Sequence, residues 1–174
     1  MKLKNKVAEF MYRRIASNLP KSKNSADGFF EKIRFFFLRG YVDSVGKKVN
    51  IQRRAKINPH VKIGDYSGIG ENSYVQNGVE IGSHVMMGPD VYIYTRNHAF
   101  ERIDITMDKQ GFQVERGVKI GDDVWIGSRV TILPGVTIGK GCIIGASTVV
   151  TKDIPDYSVA VGNPARIVKN RKSE

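Results

Sequence analysis

From Val45 onward, every sixth residue of the chain is apolar. Val45, Ile51, Ile57, Ile63, Ile69, Val75, Ile81, Met87 and Ile93 mark this register. It breaks after His98 and resumes with Val114, Ile120, Ile126, Ile132, Ile138, Ile144 and Val150. With roughly a third of residues strongly apolar, such a run arises by chance about once in forty million trials, so the period is structural. A second register lies four residues after each large residue. It holds mostly small or β-branched side chains, among them Ala55, Ser67, Ser73, Val85, Val118, Val130, Cys142 and Thr148. The two positions are two residues apart across each hexad boundary, so an extended strand points both to one side. A six-residue period fits neither 3.6 nor 3.5, which excludes a helix. The residue after the large one is often glycine, as at Gly64, Gly70, Gly82, Gly88, Gly121, Gly127, Gly139 and Gly145. This reads as tolerance for the backbone angles of a sharp corner. Each hexad is then a short strand and a corner, and successive coils must stack to share an axial core.

Three segments follow from this register. Residues 45–161 form the β-helix, residues 1–44 an N-terminal helical cap, and residues 162–174 a basic tail. Within the cap, Val7, Phe10, Met11 and Ile15 lie at helical spacing, and a polar linker from Pro20 to Gly28 leads to a second helix over Phe29–Arg39. Helices placed here would plug the open end of the coil, as solenoids require. The alternative is an interfacial helix over 29–39, its phenylalanines in lipid and Lys32, Arg34 and Arg39 at the headgroups, giving peripheral membrane contact.

Composition narrows the class of function. Hydrophobic content of 41% and charge content of 26% are those of a soluble globular domain. The single cysteine, Cys142, falls in an inward small slot and reads as core. The basic start of the chain is not followed by the apolar run of a signal peptide, so a cytoplasmic, soluble protein is expected. A net charge of +11 suits a polyanionic partner. No zinc finger, RNA-recognition signature or homeodomain accompanies it, so nucleic acid rests on charge alone and is not expected. A phosphate-bearing small molecule is the competing account.

The chemistry is expected where the repeat stops. Residues 99–113 interrupt it, and a loop of this length in a compact domain is usually functional. Phe100, Ile103, Ile105, Met107 and Phe112 make it too apolar to remain solvated, so it should dock on a neighbouring surface. His98 sits at its root. An imidazole, with an ordinary pKa of about 6.5, is well matched to general-base work near neutral pH. A surface histidine at a hinge is the plain alternative. Coil arithmetic adds Glu80, eighteen residues before His98, and Lys62, eighteen before that. In a three-sided coil these share a column at about 4.8 Å per step. Glu80 would then either orient the imidazole or simply pair with Lys62.

The hexads, the segment Ile120-Gly-Asp-Asp-Val-Trp-Ile-Gly127, the stretch Ile144–Pro155 and the ending Gly162-Asn-Pro-Ala-Arg166 together resemble the hexapeptide-repeat acyltransferases. The likeness is to sugar O-acetyltransferases of the galactoside and maltose type, over roughly residues 60–170. The resemblance implies an all-β repeat fold, a left-handed parallel β-helix of about five three-sided coils with one long protruding loop. It implies acetyl-CoA as co-substrate, no metal, and a homotrimer with sites between subunits. His98 would take a proton from a sugar hydroxyl that attacks the thioester in a ternary complex. Trp125 would line the acceptor pocket, unless it packs beneath the long loop. Ser128, Ala146, Thr151 and Lys152 would contact the coenzyme, and Arg166 and Lys169 its phosphates. Lys169 departs from the arginine of the galactoside enzymes, keeping charge but losing bidentate geometry.

Other readings on the same coil are weaker. Antibiotic acetyltransferases share coil and histidine and remain an alternative, as does a non-catalytic scaffold. Serine acetyltransferases carry a larger helical domain than residues 1–44 supply. A zinc carbonic anhydrase needs three converging histidines, and His60, His84 and His98 fall on different faces or coils.

Overall fold

The computed structural model describes residues 3–21 and 28–172, with residues 3 and 4 as backbone only. Most of the expected linker, and the outermost residues of both termini, lie outside these. The repeat forms a parallel β-helix with three faces. Face A stacks Ser44–Val45, Val61–Ile63, Val79–Ile81, Val118–Ile120 and Thr137–Ile138. Face B stacks Asn50–Ile51, Gly68–Ile69, Met86–Met87, Trp125–Ile126, Ile143–Ile144 and Ser158–Val161, and ends on the antiparallel strand Arg166–Asn170. Face C stacks Lys56–Ile57, Tyr74–Val75, Tyr92–Ile93, Thr131–Ile132 and Val149–Val150. Face A gains a further rung from the Ile138–Ile154 bridge, so the coil makes about six turns rather than five.

Both apolar registers point inward as expected. Ile51, Ile69, Ile93, Ile126 and Ile132 are fully buried, as are Val61, Val91, Val124 and Val130. Hydroxyls are accepted in the small slots because the coil backbone satisfies them. Ser67 Oγ donates to the Gly82 carbonyl at 2.7 Å and accepts from Val85 N at 3.0 Å. Thr148 Oγ1 accepts from Gly162 N at 3.2 Å.

The corners are built differently from the expectation. The glycines after the large residues are absent from the left-handed region. That conformation falls three residues after the large one, on Tyr66 (φ 58°), His84 (φ 58°), Asp123 (φ 56°) and Arg129 (φ 58°). Glycine is required at the earlier position by close approach. A Cβ at residue 64 would lie 2.5 Å from the Gly82 carbonyl carbon, and one at 127 would lie 2.6 Å from Ala146 N. The coils touch there, backbone to backbone.

The N-terminal segment caps the first coil. Helix α1 (Leu3–Arg14) and helix α2 (Phe29–Leu38) flank a 3₁₀ turn at Ala16–Asn18. On α1 the side facing the coil differs from the one expected. Tyr12 and Ala16 are buried, whereas Val7, Phe10 and Ile15 are exposed. Tyr12 and Tyr41 donate their hydroxyls to the carbonyls of Ala55 (2.8 Å) and Ile57 (3.0 Å), and burial pushes both phenols up. On α2, Glu31, Arg34 and Leu38 face inward at i, i+3 and i+7. Arg34 Nε donates to the Ile51 carbonyl at 2.7 Å, and its Nη2 pairs with Glu31 at 2.6 Å. The headgroup role expected of Arg34 is therefore corrected: this guanidinium is fully buried and satisfies the open backbone of the coil's end.

Candidate active site

The insertion begins before residue 99 and ends after 113. Arg116 N donates to the Thr95 carbonyl at 2.8 Å, closing the coil around everything between. Val79 pairs with Val118, a step of 39 residues against the regular 18. Val114, expected to restart the register, is 86% exposed, and Val118 begins the next turn instead.

The insertion is an ordered hairpin. Ala99 N donates to the Gly111 carbonyl at 3.1 Å and Gln113 N to the Asn97 carbonyl at 2.9 Å, with His98 bridged to Phe112 between them. A short helix α3 (Met107–Gln110) forms the tip, where Gln110 accepts from Arg102 N and donates to its carbonyl. Arg102 pairs with Asp104, and Gln113 donates to Glu101 at 2.7 Å, which holds that carboxyl below the usual carboxylate range. The apolar side chains do not dock on their own coil: Phe100, Ile103, Met107 and Phe112 are all exposed.

His98 stands exposed on the hairpin stem, its ring 4.4 Å from that of Phe112. The column expected to connect it with Glu80 does not form. The coil has already been left at Arg96, so the rung above Glu80 is Lys119, and the column reads Lys62–Glu80–Lys119. Glu80 accepts from Lys62 Nζ at 2.8 Å, which holds its carboxyl below the usual range. The orienting role of Glu80 is thereby withdrawn.

The remaining candidates fall in two places, on face B with its edge and at the far end of face C. Trp125 points outward from face B and is half exposed, uncovered by the hairpin. Its ladder runs from Met86 through Trp125 and Ile143 to Val159, and Val159 pairs with Lys169. Ser128 and Ala146 occupy successive rungs of the corner between faces B and C, where Ser147 N donates to the Ser128 carbonyl at 2.8 Å. Thr151 and Lys152 are exposed just beyond the last strand of face C, and Arg166 opens the antiparallel strand. The coil thus gathers Trp125, Ser128, Ala146 and Lys169 along one face and its edge. His98 leaves from the far side of face C, and among the described residues no hydrogen bond, ion pair or ring contact joins it to them.

His60 pairs with Asp43 at 3.2 Å, and His84 stacks on Tyr66 at 5.0 Å, so neither approaches His98 by any described contact. Among the described residues no group of three His, Cys, Asp or Glu could hold a metal ion. Cys142 is buried, its Sγ 3.0 Å from the Pro155 carbonyl, and burial pushes the thiol up. No helix of the described residues is long and apolar enough to cross a membrane. Sequence reasoning missed Arg96 and Phe112, since neither sits in the hexad register and only the hairpin pairing brings them to His98.

Comparison with known proteins gives the coil of stacked hexads its class, the hexapeptide-repeat transferases. Residues 117–152 match the bacterial transferase hexapeptide (six repeats) model and residues 60–94 the hexapeptide repeat of succinyl-transferase. The solved maltose O-acetyltransferase of Clostridium difficile 630 is 34% identical, with a TM-score of 0.77 over 96% of this chain and 86% of that one. A hexapeptide-repeat acetyltransferase of Vibrio cholerae O1 biovar eltor, crystallised with acetyl coenzyme A, is 27% identical, with a TM-score of 0.79 over 98% and 86%. The galactoside O-acetyltransferase of Lactococcus lactis is 40% identical over 63% of this chain and 52% of its own length. The chain belongs to the hexapeptide-repeat acetyltransferase family, close to the maltose and galactoside O-acetyltransferases. It spans about half the length of the curated relatives it matches.

Proposed function

We propose that this chain transfers an acetyl group from acetyl-CoA to a hydroxyl of a sugar or saccharide precursor, with His98 as general base. The observation that carries the reading is the placement of His98, exposed and held on both sides by the stem of an ordered hairpin. His98 takes the hydroxyl proton as the acceptor oxygen bonds to the thioester carbonyl carbon. The carbonyl π electrons move to oxygen, where preorganised donors stabilise the charge. Collapse breaks the C–S bond, and the imidazolium returns its proton to the CoA sulfur.

Coenzyme A would contact Ser128 and Ala146 on the B–C corner and Thr151 and Lys152 beyond face C. Arg166 and Lys169 would meet its phosphates as point or forked charges. Trp125 would offer its exposed face to the acceptor, since aromatic faces suit the apolar side of a sugar ring. This choice is supported by a relative solved with acetyl coenzyme A, a galactoside acetyltransferase solved with coenzyme A, and a relative named for maltose.

The family resemblance places such sites between subunits of a trimer, and that His98 and Trp125 leave the coil on different sides supports the same arrangement here. The exposed apolar hairpin, with Met86 and Trp125, supplies surface for such contacts. Purified protein with acetyl-CoA, screened for thiol release across mono- and oligosaccharides, serine and chloramphenicol-like acceptors, tests the reading. Release with saccharides alone is expected. Release with an antibiotic and with no sugar would redirect the acceptor assignment.

A further inference from the structure

We infer that Phe112, with Arg96 over its ring, is the positioning residue that fixes the His98 imidazole; this rests on the general-base reading of His98. A general base must hold its nitrogen within hydrogen-bond reach of the acceptor proton, so something must restrict both of its side-chain torsions. Among the described residues no side chain or carbonyl hydrogen-bonds to this imidazole, and Glu80 belongs to the Lys62–Lys119 column. The described contact on the ring is Phe112. Its centroid lies 4.4 Å from that of His98 with planes 31° apart, close enough for dispersion contact between two tilted rings.

Three features make this contact a built one. The backbone bridge sets residues 98 and 112 opposite each other, with a hydrogen bond on either side. Cross-strand neighbours of this kind are the pairs that interact across a ladder. The guanidinium carbon of Arg96 lies 4.0 Å from the Phe112 centroid, and Arg96 has no carboxylate partner among the described residues. Guanidinium stacking of this kind pins an aromatic ring that would otherwise turn in solvent. Finally, Phe112 is 54% exposed, so no core of its own chain holds the ring and the described contacts on it are His98 and Arg96. Arg96 and His98, the proposed base, thus both contact the Phe112 ring.

The test uses the full chain labelled with ε1-¹³C histidine, whose three histidines give three resolvable signals. The ring current of Phe112 displaces the His98 resonance, which His98→Ala assigns by its disappearance. Phe112→Leu should move that resonance alone toward its free-peptide position. It should also lower kcat about tenfold with the KM for acetyl-CoA unchanged, the pattern of a misplaced base. Phe112→Tyr, which keeps the ring, should restore both. An unmoved resonance in Phe112→Leu overturns the contact, and a moved one with unchanged kcat overturns its catalytic role. A fully active His98→Ala would instead overturn the base reading, while the resonance would still report on the contact.

Discussion

Gly64, which follows a large residue, and Gly68, which precedes one, offer a sharp test, because the same substitution should destabilise only the first. A Cβ at residue 64 would sit 2.5 Å from the Gly82 carbonyl carbon and 2.6 Å from Ser83 N. Ordinary carbon contacts lie at about 3.5–4.0 Å, so the coils would have to part by about 1 Å. Their separation is set by the ladder, here by Gly64 N donating to the Ile81 carbonyl at 2.8 Å. Overpacking costs about 1–3 kcal/mol, and weakening a ladder bond adds about 1 kcal/mol, giving about 3 kcal/mol for Gly64→Ala. At 2–4 °C per kcal/mol for a chain of this size, the melting temperature should fall by about 6–12 °C. At Gly68 the nearest atoms to a new Cβ are 4.0 Å away, so Gly68→Ala should be neutral or raise it slightly. Circular dichroism melts at one protein concentration and scan rate decide the matter. Equal melting of Gly64→Ala and wild type would refute the close-approach account.

Two further outcomes follow from the cap and from face A. Arg34→Ala removes the donors to the Ile51 carbonyl and the cation beside buried Glu31, so it should lower stability by about 3–5 kcal/mol in urea unfolding; a midpoint at the wild-type value would mean the cap is not held this way. Glu80→Gln should leave kcat unchanged, since Glu80 pairs with Lys62. The Glu80 carboxyl is held low in the fold, so what the pair contributes is present above the unfolded value of about 4.3 and lost as pH falls below it. The melting curves of variant and wild type should therefore converge below about pH 4, and curves that diverge there would contradict the pairing.

Much of the architecture was legible because a six-residue period with two inward positions has one economical solution. The period named Ile51 through Val150 as core without reference to contacts. It failed at Val114, since apolarity at one position cannot reveal where an excursion of 21 extra residues rejoins the coil. That same failure misplaced Glu80: the column arithmetic assumed His98 was still on the coil, and Arg96 had already left it. The glycine register was visible but its cause was not, because close approach between coils is a property of stacking and leaves no mark on a single hexad. The face of α1 was misassigned because Tyr12, whose hydroxyl reaches the Ala55 carbonyl, outweighs the apolar stripe of Val7 and Phe10. Arg34 is the corresponding case on α2, a charged residue buried because the coil's open end needs a donor.

If His98 removes the acceptor proton, thiol release from acetyl-CoA should collapse in His98→Ala. With a saccharide acceptor found active for the wild type, the variant should turn over two to four orders of magnitude more slowly, the usual worth of a general base. Its melting temperature should match wild type, because His98 is exposed and makes no core contact. A folded His98→Ala protein that turns over at the wild-type rate would contradict the account.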